Sequence, residues 1–281
     1  MVTQLRIELM KLARSKAFLL ALASIAAFVV LMLWGFYSYA KDKTGGKVEF
    51  KYTYESSSYF NGLTFALYSS VFAFSLLIPI FIAMTAGSQI AGEARAGTLR
   101  MLLTRPTPRV TILLSKFLAT VFYTLGVMVF FIGLNLLAGL IFIGWGNLEL
   151  YPGPLNLVEE PGHLFRNEAL LRFVASVLTS TWALTVVASL AFLLSVIFDN
   201  PVTSVVSTVA IYIIFHVVGR IEFFEHLRPY FFTTDMDFWR DIFKPDVPWT
   251  SMLHYASRCG IYIVALLLLS VILFERKDIT S

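Results

Sequence analysis

The chain has 281 residues, of which 58% are hydrophobic and 14% charged, with a net charge of +4 and a mean hydropathy of +0.76. Soluble domains carry nearer a quarter charged residues, so this balance excludes a soluble globular enzyme or a nucleic-acid-binding domain and indicates a membrane protein. The one cysteine, Cys259, cannot form an internal disulfide.

In chain order, residues 1–16 read "MVTQLRIELMKLARSK", with Val2, Leu5, Leu9 and Leu12 at spacings of three and four and Arg6, Lys11 and Arg14 elsewhere. That pattern predicts an amphipathic helix lying in the interface plane. About 20 apolar residues span a bilayer, and blocks of that length predict six spans at 17–39, 63–86, 112–144, 170–198, 202–219 and 257–274. The first block is too long for a cleavable leader, so it is read as a retained helix.

Lys and Arg collect in the N-terminal segment, in the strip after the second span and in the tail, all on one side if there are six spans. The positive-inside rule makes that side, with both termini, cytoplasmic in a plasma or inner cell membrane. The four lysines between residues 41 and 61 fit this assignment least well.

Inside the second span, Pro79 removes a backbone donor and frees the carbonyl near Ser75, which predicts a kink. In the third span Asn135 is a polar group well inside an apolar block. In the fourth, Thr181, Thr185 and Ser189 share one helical face. Such groups either bond within the bundle or line a pathway, and these four are the candidate pathway residues. His216 in the fifth span and Arg258 at the edge of the sixth are the other polar groups near the apolar blocks. "FDNP", residues 198–201, predicts a tight connection in which Asn200 caps a helix begun by Pro201.

Residues 220–256 are rich in aromatics and interrupted by Pro229, Pro245 and Pro248. They predict short helices at the outer leaflet, with Tyr230, Trp239 and Trp249 at the headgroup boundary. The acids in "EFFEH" and "DMDFWRD" match no metal signature and read as solvated loop charges. There is no phosphate-binding loop and no catalytic set, so the chain reads as neither an ATPase nor another enzyme.

The most informative stretch is "GEARAGTLRMLLTRPTPRV", residues 92–110. Its five charges, Glu93, Arg95, Arg100, Arg105 and Arg109, would each cost about 2.5–3.5 kcal/mol at the centre of a bilayer, so it must lie outside the hydrocarbon. Gly92 and Gly97 predict a broken helix there. Pro106 stops it, and Thr107 with Pro108 starts the next helix.

This strip, followed by "ILLSKF", resembles the cytoplasmic segment of type-2 ABC exporter permeases. Glu93, Gly97, Thr98, Leu102, Leu103, Pro106, Arg109 and Lys116 fill the positions of that family's pattern. The resemblance implies an all-α integral membrane protein in one permease domain, 1–281, with six transmembrane helices. An interfacial helix at 1–16, a coupling segment at 87–109 and an external aromatic segment at 220–256 would complete it. It further implies a homodimer or pseudo-symmetric dimer among membrane lipids, driven by a separate ATP-binding subunit that holds ATP and magnesium, this chain holding no cofactor. Glu93, Gly97, Thr98 and Arg100 would lie in or beside the docking helix, flanked by Arg105 and Arg109. A secondary transporter would favour mid-membrane charges and inverted repeats, which are not evident. A non-transporting scaffold leaves the strip unexplained.

Overall fold

The computed structural model describes residues 1–44, 60–99, 108–150 and 162–277. A short helix α1 (Val2–Ala13) is followed at once by α2 (Lys16–Thr44), with Ser15 Oγ accepting from Phe18 N at the junction. Then come α3 (Gly62–Gly87), the small α4 (Ala91–Arg95) and the long α5 (Arg109–Phe142). Strands β1 (Leu148–Leu150) and β2 (Gly162–Leu164) pair antiparallel, Glu149 opposite His163. Helices α6 (Arg166–Ile197) and α7 (Pro201–Val218) follow. The chain continues through a 3-10 turn at Glu222–Tyr230, α8 (Phe232–Met236) and a second 3-10 turn at Asp237–Phe243 to α9 (Trp249–Arg276).

Six of these helices, α2, α3, α5, α6, α7 and α9, are long and apolar enough to cross a membrane. They match the six predicted blocks, and the protein is a helical multi-pass membrane protein. Several boundaries differ from expectation, among them the end of α5 and the start of α9. Helix α5 ends at Phe142 because Gly144 turns the chain at φ +113. Helix α9 starts eight residues before the predicted 257, at Trp249 after Pro248, since Thr250, Ser251 and His254 dilute the apolar signal there. The three-residue hairpin is the other departure from an all-α reading.

Helix α6 is the centre of the bundle and packs on α3, α5, α7 and α9. Of its most apolar window 78% is buried, against 17% in α2 and in α7, which leave most of their surface to the surroundings. Helices α3 and α5 touch backbone to backbone where Gly62 meets Gly139, a contact that a Cβ on either would fill. Gly62 N also donates to Gly144 O at 2.9 Å. Asn61 caps α3, its side chain accepting from Leu63 N and Thr64 N and donating to Asn147 O.

The predicted kink in α3 is a π-helical turn at Ala73–Leu77, just before Pro79. In that turn Ile78 N donates five residues back, to Ala73 O, Pro79 has no N–H to give to the carbonyls that follow, and the Tyr212 hydroxyl of α7 donates to Ser75 O at 3.1 Å and to Phe74 O at 3.4 Å.

The aromatic segment divides. Phe223, Tyr230 and Trp249 are exposed as expected, but Trp239 is 1% exposed and does not sit at a headgroup boundary. Its ring lies 4.7 Å from that of Phe74, and Phe243 lies 4.8 Å from Phe173. Phe74 is the thirteenth of the 26 residues of α3, so the segment reaches about 18 Å down that helix at 1.5 Å per residue. Trp239 and Phe243 thereby bury the large apolar surface that the headgroup reading left outside.

Asp235 is likewise not a solvated loop charge. It is 1% exposed and lies 3.2 Å from Arg258 Nε, and Arg258 also donates to Pro229 O. Burial pushes the Asp235 carboxyl up to about 6, with Arg258 and His254 only partly offsetting it. Asp237 and Asp241 pair with Arg240 and Lys244.

Candidate functional site

The polar strip after α3 is assembled from its base outward. Residues Ile90 and Ala91 begin α4, and both of their backbone N–H groups donate to Ser195 Oγ of α6 at 2.9 Å. One hydroxyl thus satisfies two of the orphan donors at a helix start.

Three residues on, Glu93 enters an ion cluster. Lys116 Nζ of α5 is 2.7 Å from Glu93 Oε1 and 3.0 Å from Glu8 Oε2 of α1. Lys11 Nζ of α1 is 3.0 Å from the same Glu93 oxygen and 3.2 Å from Glu8 Oε1. Lys116 is wholly buried and Glu8 is 6% exposed.

Two lysines and two carboxylates make the cluster neutral, which is what lets such groups leave water, since each alone would carry a desolvation cost of several kcal/mol. Burial opposes the Glu93 charge, but Lys116 and Lys11 outweigh it and hold the carboxyl below its ordinary value. Burial likewise lowers Lys11, and Glu93 and Glu8 outweigh that to raise it.

The cluster explains why α1 is fixed. Leu5, Leu9 and Leu12 turn toward the bundle with Glu8 at the centre of the packed face, while Val2 stays 82% exposed. Helix α1 therefore packs along α5 as well as presenting a basic face.

Above this base, residues Arg95, Ala96, Gly97 and Thr98 form an exposed tip, and Leu99 turns back into the core. Gly97 breaks the helix at φ +69, a conformation that favours glycine, with its N–H on Ala94 O. Thr98 Oγ1 donates to Glu93 O at 3.3 Å and closes the turn.

Of the residues predicted for docking, Glu93, Gly97 and Thr98 are brought together here. Glu93 faces inward, whereas Gly97 and Thr98 face outward. Arg109 stands apart at the start of α5, where its guanidinium donates to the Glu275 and Lys277 carbonyls of the tail. Lys277 in turn reaches Asp199 Oδ1 at 2.7 Å and Val196 O. Arg100 and Arg105 lie outside the described residues.

The candidate pathway residues are interior groups. Thr181, Thr185 and Ser189 each donate to the carbonyl one turn earlier in α6, at 2.6 to 2.7 Å. Asn135 of α5 is fully buried and accepts from Ser69 Oγ of α3 at 2.9 Å. His216 stacks on Tyr212 at 5.6 Å.

Of the pairing partners, the sequence pattern marks Lys11 only as part of the basic face of α1 and does not mark Glu8. The available signal was Lys116 itself, a lysine seven residues inside an apolar helix, which demands a counter-charge. Ser195 had no such signal.

The fold and this polar base define a six-span helical membrane protein. Residues 18–280 match the model of a family described as protein of unknown function, DUF2705, and the chain belongs to that family. It is also similar to the uncharacterized protein YhcI of Bacillus subtilis (strain 168), 25% identical over 214 residues. That match covers 74% of this chain and 66% of the relative's own length, just under two thirds.

Proposed function

We propose that this chain is the membrane-spanning subunit of a type-2 ABC exporter, coupling ATP hydrolysis by a separate nucleotide-binding subunit to movement of a substrate across the cell membrane. The observation that carries the reading is the strip's construction: an exposed tip, Arg95 to Thr98, on a base tied to three separate helices by Glu93 and Ser195. A partner that grips the tip pulls on α1, α5 and α6 at once. Contacts that differ between two partner states are what allow a nucleotide to bias a second protein. The motif resemblance of residues 93–116 supports the same reading.

In this view the strip and both termini face the cytoplasm, two permease chains form the transport unit, and ATP with magnesium stays on the partner. Thr181, Thr185, Ser189 and Asn135 act within the bundle as inter-turn and inter-helix ties near the path.

Co-expression with a candidate ABC-type ATPase and affinity purification tests this. The ATPase is expected to copurify with the native chain and to be lost with Arg95→Glu combined with Ala96→Trp at the exposed tip, while thermal stability is unchanged. A thiol placed by Gly97→Cys should react only from the cytoplasmic side. Reaction from outside, or solute movement by the isolated chain along an ion gradient, overturns the proposal and favours a secondary transporter.

A further inference from the structure

At the end of the bundle opposite the termini, a cleft of about 520 Å³ opens between the first turns of α6 and α9 and the loop that precedes α9. Its size falls in the range of small-molecule sites. Leu171 and Val247 give it an apolar wall, and Trp249, 62% exposed, presents its ring. Glu168, Arg172 and Asp246 supply its charges.

Arg172 is not available to a ligand. Its guanidinium donates to the backbone carbonyls of Ile242, Lys244 and Pro245 and to Glu168 Oε1 at 2.5 Å, so it staples the wall of the cleft. Glu168 remains 44% exposed on its side chain. Asp246 is exposed and has no ion pair among the described residues, and nearby Lys244 is occupied by Asp241 at 2.6 Å. The three charged residues leave one net negative charge beside an aromatic face and an apolar wall.

That combination rejects an anion, which would meet two carboxylates and a guanidinium whose two terminal nitrogens are already taken by four acceptors. It also differs from a metal site, because no cluster of three or more metal-ligating side chains occurs among the described residues. A monovalent organic cation with an apolar body satisfies every element: carboxylates for the charge, Trp249 for a cation–π contact, Leu171 and Val247 for the body.

We infer that this cleft binds an amphiphilic organic cation. The inference stands apart from the exporter reading, because it concerns neither the strip nor a partner and is measured on the chain alone.

The test is equilibrium binding of radiolabelled tetraphenylphosphonium to the purified chain in nanodiscs of an uncharged glycolipid, with tetraphenylborate as an anion of the same shape. The expected result is saturable uptake of one phosphonium per chain, and for the borate only the uptake of empty discs. Asp246→Asn and Trp249→Ala should each weaken phosphonium binding by about tenfold, with Trp249→Phe largely retaining it. Asp246 is exposed and unbonded, so its variant keeps the fold, which thermal unfolding verifies. Uptake equal to empty discs, equal saturable binding of the borate, or unchanged affinity in both variants overturns the inference. A choline headgroup brings the same cationic chemistry. Repeating the titration in phosphatidylcholine discs separates the sources: unchanged affinity means a free cation, and weakened affinity means that the lipid headgroup is itself an occupant.

Discussion

At the end of the bundle that carries both termini, α1, α4 and α5 meet through Lys116, Glu8, Glu93 and Lys11. At the opposite end, the segment between α7 and α9 is driven between helices by Trp239 and Phe243, joined to α9 by the Asp235–Arg258 ion pair and held to α6 by Arg172. Ion pairs are directional and respond strongly to the loss of one member, whereas aromatic packing is broad and responds to lost volume. The charged end is therefore held by a few defined contacts, and the aromatic end by broad apolar packing.

The comparison can be broken most forcefully at Lys116. Lys116→Met leaves two carboxylates with Lys11 alone, and a loss of about 3–5 kcal/mol is expected in thermal or denaturant unfolding of the detergent-solubilised chain. Adding Glu93→Gln should recover part of it, since a neutral partner no longer needs the charge. Additive losses would refute the coupling.

Trp239→Ala is expected to cost about 3–5 kcal/mol by cavity formation, without the rescue by a second substitution that marks the charged end. A loss below about 1 kcal/mol would mean that the ring is not a packed element.

Tyr212→Phe removes the donor to the Ser75 carbonyl and should cost about 1–3 kcal/mol if no water replaces it. The loss should vanish when Pro79→Ala restores the backbone N–H, a double-variant result that a purely steric role for Tyr212 would not produce.

The smallest expected effect is in pH, and it has opposite signs at the two ends. Asp235 binds its proton more tightly folded, at about 6, than at its ordinary 3.8, so the folded state takes up the proton first. Stability then rises as pH falls from 7 toward 4. Glu93 is held below its ordinary 4.5, so its contribution is present at neutral pH and is lost only as pH falls through the lowered value. The melting temperature should rise modestly from pH 7 to pH 5 in the native chain and not in Asp235→Asn. A fall over that range would contradict the buried Asp235.

Much of this arrangement was legible because hydrocarbon imposes length and composition on every span. The six helices, the Asn200 cap with Pro201 at the first position, and the freed carbonyl at Ser75 all follow from local rules. Asn200 indeed accepts from Val202 N at 3.0 Å. Within the strip, the break at Gly97 was readable from the residue itself.

What could not be read depends on pairs distant in sequence. Glu8 and Glu93 meet Lys116 only once α1 has folded back along α5, and Ser195 reaches Ile90 only through the packing of α6. Trp239 was misplaced for a related reason: an aromatic near a span end suits the headgroup boundary by composition alone, and only the gap beside Phe74 draws it inward. Asp235 was misread because its counter-charge, Arg258, lies on another helix.

The contact of Gly62 with Gly139 brings two helix backbones together at one end of α3. With side chains absent at that crossing, main-chain atoms alone set the interhelical spacing, so a β-carbon at either glycine would wedge α3 away from α5.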